Sequence, residues 1–288
     1  MTTIGFIGLG VMGEPMCRNL AQKSGHPVLG FDQDPAALER LAGFGVRTAA
    51  SIQALSEATD TVFLALPSSR HVEAVCADLL PHARPGQVVV DLGTSPVSLS
   101  RDLAARFAER GARYADAPIA RTRQAAEAGT LSIMVGADPA VFDRIHPLLA
   151  FMATDITHCG PVGTGQVAKI MNNMVLVQTV IALAEAVAVA RRAGIEPEAL
   201  LQTLAKGSAD SFALRNHGLK AIVPGAFPER AFSTEYARKD LGYALDLARE
   251  LGLELRGAAL ADERLREAVE AGFGANYWPV VARVIDSQ

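Results

Sequence analysis

Cysteine is scarce in this chain. Cys17, Cys76 and Cys159 stand far apart with no Cys-x-x-Cys pair, which excludes a disulfide framework and points to reduced thiols in a cytoplasmic setting. Charge is thin as well: 20% of residues are charged, 27 basic against 31 acidic. There is no basic stripe for nucleic acid and no acidic tail. The six histidines show no His-x-x-x-His or paired-cysteine spacing, so no metal is expected. The longest apolar stretch, around 174–190, is interrupted by Gln178 and Glu185, residues a membrane span rarely carries. The amino terminus lacks the basic region of a targeting segment. What is plentiful is apolar surface, half of the 288 residues, enough for a substantial core and, at roughly 150 residues per domain, for two domains.

The first half alternates β-branched runs with amphipathic stretches, the pattern of an α/β fold with a parallel sheet under crossover helices. Strands are expected near 3–7, 27–31, 61–66, 87–91 and 113–116, with further short ones near 131–136 and 155–159. Helices are expected over 12–23, 35–42, 71–80, 96–109 and 139–149, several with proline in the first turn and glycine just past the last. Beyond about Val162 the strand signals stop, and Ala, Leu, Glu and Arg recur at helical spacing. One segment, about 163–192, is long enough to link two lobes. Further helices are expected over 196–206, 234–250, 258–271 and 277–285, with a loop over 223–227. The expected division is residues 1–161, a doubly wound sheet domain of Rossmann type, and 162–288, an all-α domain that includes the interdomain helix. Apolar faces on so many helices predict a homo-oligomer, a dimer or tetramer.

Gly8-Leu9-Gly10-Val11-Met12-Gly13 sets G-x-G-x-x-G directly after the first strand and at the start of a helix. There Gly8 permits the tight turn, Gly10 lets backbone approach a pyrophosphate, and Gly13 lets helix and strand pack closely. Asp32 ends the second strand, where a carboxylate accepts hydrogen bonds from ribose hydroxyls; its other reading is a helix cap before Pro35. Asp32 and Asp34 would repel a 2'-phosphate, and no Arg or Lys follows until Arg40. NAD is therefore expected over NADP.

Beyond this motif, the chain resembles the β-hydroxyacid dehydrogenase family, which includes 3-hydroxyisobutyrate dehydrogenases and tartronate semialdehyde reductases. The resemblance rests on the glycine block with Pro15-Met16 and Asn19-Leu20, then Leu66-Pro67, Asp91 and Thr94. It continues through Asp116-Ala117-Pro118, Gly129-Thr130-Leu131, the block from Gly160 to Asn173, and Lys239-Asp240-Leu241. It implies a nicotinamide-dependent oxidoreductase acting on a small anionic 3-hydroxy acid or its semialdehyde, with Leu66, Pro67, Thr94 and Lys239 beside the cofactor. It also implies Lys169 as general acid and base, with Asn173 orienting the substrate. Lys169 is one of only five lysines and stands among Val167, Ala168, Ile170 and Met171. Asn173 is four residues on, on the same helix face. Glycines 160, 163 and 165 are expected to let backbone pack near the cofactor. Lys239 has a second reading, a surface charge paired with Glu235. Asp240 is expected to cap or brace, and Phe232 to wall the substrate pocket.

One departure bears on substrate. Where the family usually continues with Ser-Gly-Gly, a loop that holds the substrate carboxylate, this chain has Ala120-Arg121-Thr122. The serine is lost and a guanidinium appears, whose planar fork suits carboxylate, sulfonate or phosphate. Arg121-Thr122 is partly similar to the loop of sulfolactaldehyde reductases, so a sulfonated C3 substrate is an alternative; Arg121 paired with Glu127 at the surface is another. A protein that senses NAD without turnover is the reading from a different class.

Overall fold

Short β-branched runs such as Val88-Val89-Val90 have no polar face to give to water, and in the computed structural model they become buried strands. The structure describes residues 2–229 and 231–287 and divides into two units, Met1–Lys169 and Ile170–Gln288.

In the first unit, β1 (Ile4–Ile7), β2 (Val28–Phe31), β3 (Val46–Thr48), β4 (Thr61–Leu64), β5 (Val88–Asp91) and β6 (Arg113–Asp116) run parallel in the order β3-β2-β1-β4-β5-β6. The sequence pattern predicted a parallel sheet, and the sheet departs from that at one side. Beyond β6 come β7 (Ile119–Ala120), β8 (Leu131–Gly136) and β9 (Ala153–Gly160), with β8 antiparallel to β6 and β7 and parallel to β9. Period-2 alternation sends Phe6, Phe63, Val90 and Ala115 to one face, against Met16, Leu20, Leu41 and Ile145. It sends Ile7, Leu64, Val89 and Tyr114 to the other, against Leu55, Cys76, Leu103 and Phe107. The covering helices are α1 (Gly13–Lys23), α2 (Pro35–Ala42), α3 (Ile52–Ala58), α4 (Ser69–Leu79), α5 (Val97–Glu109), α6 (Arg123–Ala128) and α7 (Pro139–Leu149). The sheet is thus doubly wound.

The helix α8 (Thr164–Arg192) begins in this unit and continues into the second. The division lies inside it, eight residues beyond the expected 161/162 boundary, because its first turn packs on β8 and Asp116. By length and composition α8 is apolar enough to cross a membrane, but Val177, Val180, Ala184 and Val187 form the core of the second unit with Leu201, Leu214, Leu241, Leu265 and Trp278. That unit adds α9 (Pro197–Leu204), a π-helix (Leu214–Ile222), α10 (Thr234–Glu250), α11 (Arg256–Ala268) and α12 (Val281–Asp286).

The elements that the sequence did not indicate are short or irregular. Strand β3 buries only Val46, α3 and α6 span 7 and 6 residues, and the π-helix breaks the 3.6-residue period on which helix recognition depends.

Candidate active site

The glycine motif separates into a scaffold and an open face. Gly8 has φ 92°, and a Cβ there would strike the Ala65 carbonyl oxygen on the neighbouring chain segment. At Gly13 a Cβ would strike the carbonyl oxygen of Gly8 itself. Leu9 points into the core, fully buried, and Met12 packs against it. At Gly10, in contrast, a Cβ would meet nothing within 4 Å, and Val11 is 59% exposed. This open stretch sits at the start of α1, between the ends of β1 and β4, where the strand order reverses and α/β sheets hold dinucleotides. The residues present fit such a group. Leu66, half-buried, lies beside Gly8 at the end of β4, and exposed Pro67 follows it.

Asp32 does not cap α2. Asp34 does so, accepting from the Ala36 N–H at 3.0 Å. Asp32 accepts from the Leu9 N–H at 2.5 Å and the Asp34 N–H at 2.8 Å, tying the glycine turn to the end of β2.

A buried polar network holds the loop after β5. Asp91, fully buried, accepts from the Gly93 N–H (2.9 Å), Ser95 Oγ (3.0 Å) and Tyr114 OH (3.3 Å). Gln166 of α8 closes it, accepting from the Ser95 N–H at 3.0 Å and donating to the Gly93 carbonyl at 2.9 Å. Thr94 stands between these clamped residues, half-buried. Burial pushes the Asp91 carboxyl up to about 7, against the pull of these donors. Because the folded chain then holds the proton more tightly than the unfolded one, this carboxyl favours folding most below about pH 4, and the contribution is lost as pH rises through about 7. Asp91→Asn, of the same shape but without a titrating proton, should therefore lose less stability than the parent between those limits; thermal midpoints measured across that range check it, and parallel curves would count against it.

Asp116, at the end of β6, accepts from the Gly163 N–H at 2.6 Å and the Gln166 N–H at 2.7 Å, satisfying donors that α8 leaves unpaired at its start. Burial pushes this carboxyl up to about 6 while the amides favour its charge. Room for it comes from Gly136 and Gly165, where a Cβ would lie 2.5 and 2.8 Å from its oxygens. The glycines of this block thus serve an approach to the sheet: Gly160 and Gly163 take φ of 124° and 94°, and Gly165 abuts Met134 and Asp116. Lys169 comes three residues after Gln166, about one turn along α8, and is half-buried.

The loop after β7 has a different character from the sequence expectation. Arg121 takes φ 86° and, among the described residues, is the one non-glycine with positive φ, a conformation costing about 1–3 kcal/mol. Its guanidinium does not pair with Glu127, which Arg123 holds at 2.9 Å. Arg121 donates to the Thr130 carbonyl (2.7 Å), Thr154 Oγ1 (3.1 Å) and Asp155 (2.6 Å). Ala120 ends β7, and Thr122 caps α6 by accepting from the Ala125 N–H at 3.4 Å.

In the second unit, Asn173 is buried and donates to Asp240 Oδ2 at 2.7 Å. Lys239 lies 3.1 Å from Asp240 Oδ1, not on Glu235, with its ammonium 3.9 Å from the Tyr236 ring centre and 5.3 Å from that of Tyr243. Burial opposes its charge, but Asp240 and the two tyrosines outweigh burial and hold its pKa above the ordinary lysine value. Phe232, half-buried, sets its ring 5.5 Å from that of Tyr236.

Residues 3–160 match the family described as the NAD binding domain of 6-phosphogluconate dehydrogenase, and residues 163–282 that described as the NAD-binding domain of NADP-dependent 3-hydroxyisobutyrate dehydrogenase. The chain belongs to the β-hydroxyacid dehydrogenase family. It is 36% identical to the 2-(hydroxymethyl)glutarate dehydrogenase of Eubacterium barkeri, over 98% of this chain and 94% of that one. It is 35% identical to the 2-hydroxy-3-oxopropionate reductase of Escherichia coli, over 90% and 89%. The structure of Mycobacterium tuberculosis 3-hydroxyisobutyrate dehydrogenase with L-serine superimposes with a TM-score of 0.91 at 33% identity, over 99% of both chains. This β-hydroxyacid dehydrogenase is an NAD(P)-dependent oxidoreductase of small hydroxy acids.

In this dehydrogenase the structure gathers Gly8 to Gly13, Asp32 and Leu66 at the carboxyl ends of β1, β2 and β4, and it links Asn173 to Asp240, Asp240 to Lys239, and Lys239 and Phe232 to Tyr236. Sequence reading overlooked Tyr236 and Tyr243, although both stand at helical neighbour spacing from Lys239, three before and four after. Asp91, Asp116 and Gln166 fall within the family-like blocks, but their parts in the buried network do not show in the sequence. A buried carboxylate that positions a helix or a loop has no sequence signature of its own.

Proposed function

We propose that this dehydrogenase transfers a hydride between NAD and a small anionic 3-hydroxy acid or its semialdehyde, with Lys169 as general acid and base. The observation that carries the reading is Lys169 itself, half-buried about one turn beyond the Asp116 anchor of α8. When bound, the nicotinamide supplies the hydride chemistry. The Lys169 ammonium gives its proton to the carbonyl oxygen in reduction, and its amine takes the hydroxyl proton in oxidation; the positive charge also stabilises the developing alkoxide. Asn173, at i+4, is held by Asp240 through one amide hydrogen and offers the other to the substrate oxygen. The loop of Ala120, Arg121 and Thr122 receives the substrate's anionic group, and Gly8 to Gly13, with Leu66, Pro67 and Thr94, hold the cofactor.

Asp32 and Asp34 favour NAD over NADP. Arg40, the nearest cation along the chain, is bound to Glu14 at 2.9 Å and so is not free to take a 2'-phosphate. A sulfonated substrate loses its main support, because the Arg121 fork that suggested it is engaged by Asp155. Exposed Val175 and Val189 on α8 support a homo-oligomer, and the unpaired thiols support a cytoplasmic setting.

The test is an assay of NAD and NADP reduction with 3-hydroxyisobutyrate, L-serine, 2-(hydroxymethyl)glutarate and a sulfonated C3 alcohol. A carboxylic acid with NAD should give the highest kcat/KM, and Asp32→Arg should shift the NAD-to-NADP ratio toward NADP by about tenfold or more. Preference for the sulfonate, or an unmoved ratio, would overturn the corresponding part of the reading.

A further inference from the structure

Arg121 replaces a small residue in a loop read above as the seat of the substrate's anionic group, and its side chain is committed elsewhere. Ala120 of β7, Ser132 of β8 and Asp155 of β9 lie abreast in the sheet register, and the Arg121 guanidinium spans from the first strand to the third. Its receiving site depends on an irregularity. The register shifts between Leu131 and Ser132, which pair with Ala153 and Asp155, so Thr154 is an extra residue on β9. In a regular strand neighbours point to opposite faces; a bulge re-aims them. Here Thr154 Oγ1 and Asp155 both reach Arg121, and Thr154 also donates to Asp155 at 2.9 Å. With the Thr130 carbonyl, three acceptors converge on one guanidinium. That cluster also lowers the Asp155 pKa, through Thr154 and then Arg121. An isolated exposed ion pair would hold little, but this one is multidentate and includes a backbone carbonyl at 2.7 Å.

The backbone at Arg121 has φ 86°, in the left-handed region that glycine adopts freely and arginine does not. We propose that Arg121 is a positioning residue: strapped to the Thr154 bulge and Asp155, its side chain holds a glycine-like turn in the loop of residues 120–122, which then presents its backbone to the substrate. The guanidinium itself does not grip the substrate anion. The proposal rests on the reading of this loop as the substrate's seat and adds how a chain without glycine at position 121 keeps the turn.

A strap and a clamp respond oppositely to the same substitutions. If Arg121 is a strap, Asp155→Asn weakens it and raises KM for the hydroxy acid; if it is a clamp, the substitution frees the guanidinium and leaves KM unchanged or lower. Arg121→Ala loses the strap and keeps a Cβ that disfavours the turn, so KM should rise about tenfold or more with a smaller change in kcat. Arg121→Gly, at ease with positive φ, should recover most of that loss, whereas a missing clamp would leave the two variants alike. KM and kcat for 3-hydroxyisobutyrate and L-serine, with amide hydrogen exchange over residues 119–124 of the full-length protein, decide the matter. Faster exchange and raised KM in Asp155→Asn and Arg121→Ala, with partial recovery in Arg121→Gly, is the expected result. Equal KM rises in both Arg121 variants with none in Asp155→Asn would overturn the strap and leave the loop as the substrate's seat. Faster exchange with no movement of KM in any variant would instead overturn the loop reading, and the proposal with it.

Discussion

Replacing Lys169 with alanine should lower kcat by about two to four orders of magnitude while NADH still binds. The two effects separate because the residues that fit the cofactor, Gly8 to Gly13 and Asp32, belong to the β1–α1 turn and the end of β2, where the Leu9 N–H bond to Asp32 and the packing at Gly8 and Gly13 set the turn. The anchoring of α8 through Asp116 and Gln166 precedes Lys169 and is likewise left in place. Lys169→Arg should be nearly as impaired, since a guanidinium keeps its proton at any working pH and cannot serve as the base. Steady-state turnover alongside an NADH fluorescence titration tests both points. Turnover by Lys169→Ala equal to that of the parent would remove this residue from proton transfer, and lost NADH binding would show that it supports the fold of the cofactor site.

A comparably large effect is expected at Gly13, by a different route. A Cβ on Gly13 would collide with the backbone carbonyl oxygen of Gly8, with Ala65 Cβ 3.2 Å away. No side-chain rotation relieves such a clash, so the turn or α1 must shift, at a cost of about 1–3 kcal/mol or more. Gly13→Ala should therefore lose thermal stability and NADH affinity together. Gly10→Ala is the counterpart. Its Cβ meets nothing within 4 Å, so stability should hold while NADH affinity falls, because the methyl occupies the space that backbone otherwise leaves to the pyrophosphate. Melting curves and NADH titrations of both variants distinguish a glycine needed for the scaffold from one needed for the ligand. If Gly10→Ala binds NADH as the parent does, the open face at Gly10 is not where the phosphates lie.

The readable parts of this chain are those written in local pattern. Four-residue buried strands, proline at helix starts and a glycine motif between β1 and α1 each express a conformational preference of a few consecutive residues. They led to the doubly wound sheet, to the helical second half and to the dinucleotide turn. Spacing alone also put Lys169 and Asn173 on one face of one helix.

Tertiary structure decided which partner each polar side chain takes. Asp32 and Asp34 are two residues apart and carry the same carboxylate; Asp34 caps α2, and only the approach of the glycine turn makes Asp32 the acceptor of the Leu9 N–H. Arg121 had an acidic neighbour in sequence, Glu127, yet it found Asp155, 34 residues away, because a bulge in β9 turned two adjacent side chains toward it. Asp91 and Asp116 look alike at the ends of neighbouring strands. One clamps a loop and the other receives the first turn of α8. Local preferences are set by torsion and period, which the sequence carries residue by residue. The pairing of a charge depends on which of several acceptors the folded chain brings within about 3 Å, and that distance exists only once the sheet has formed.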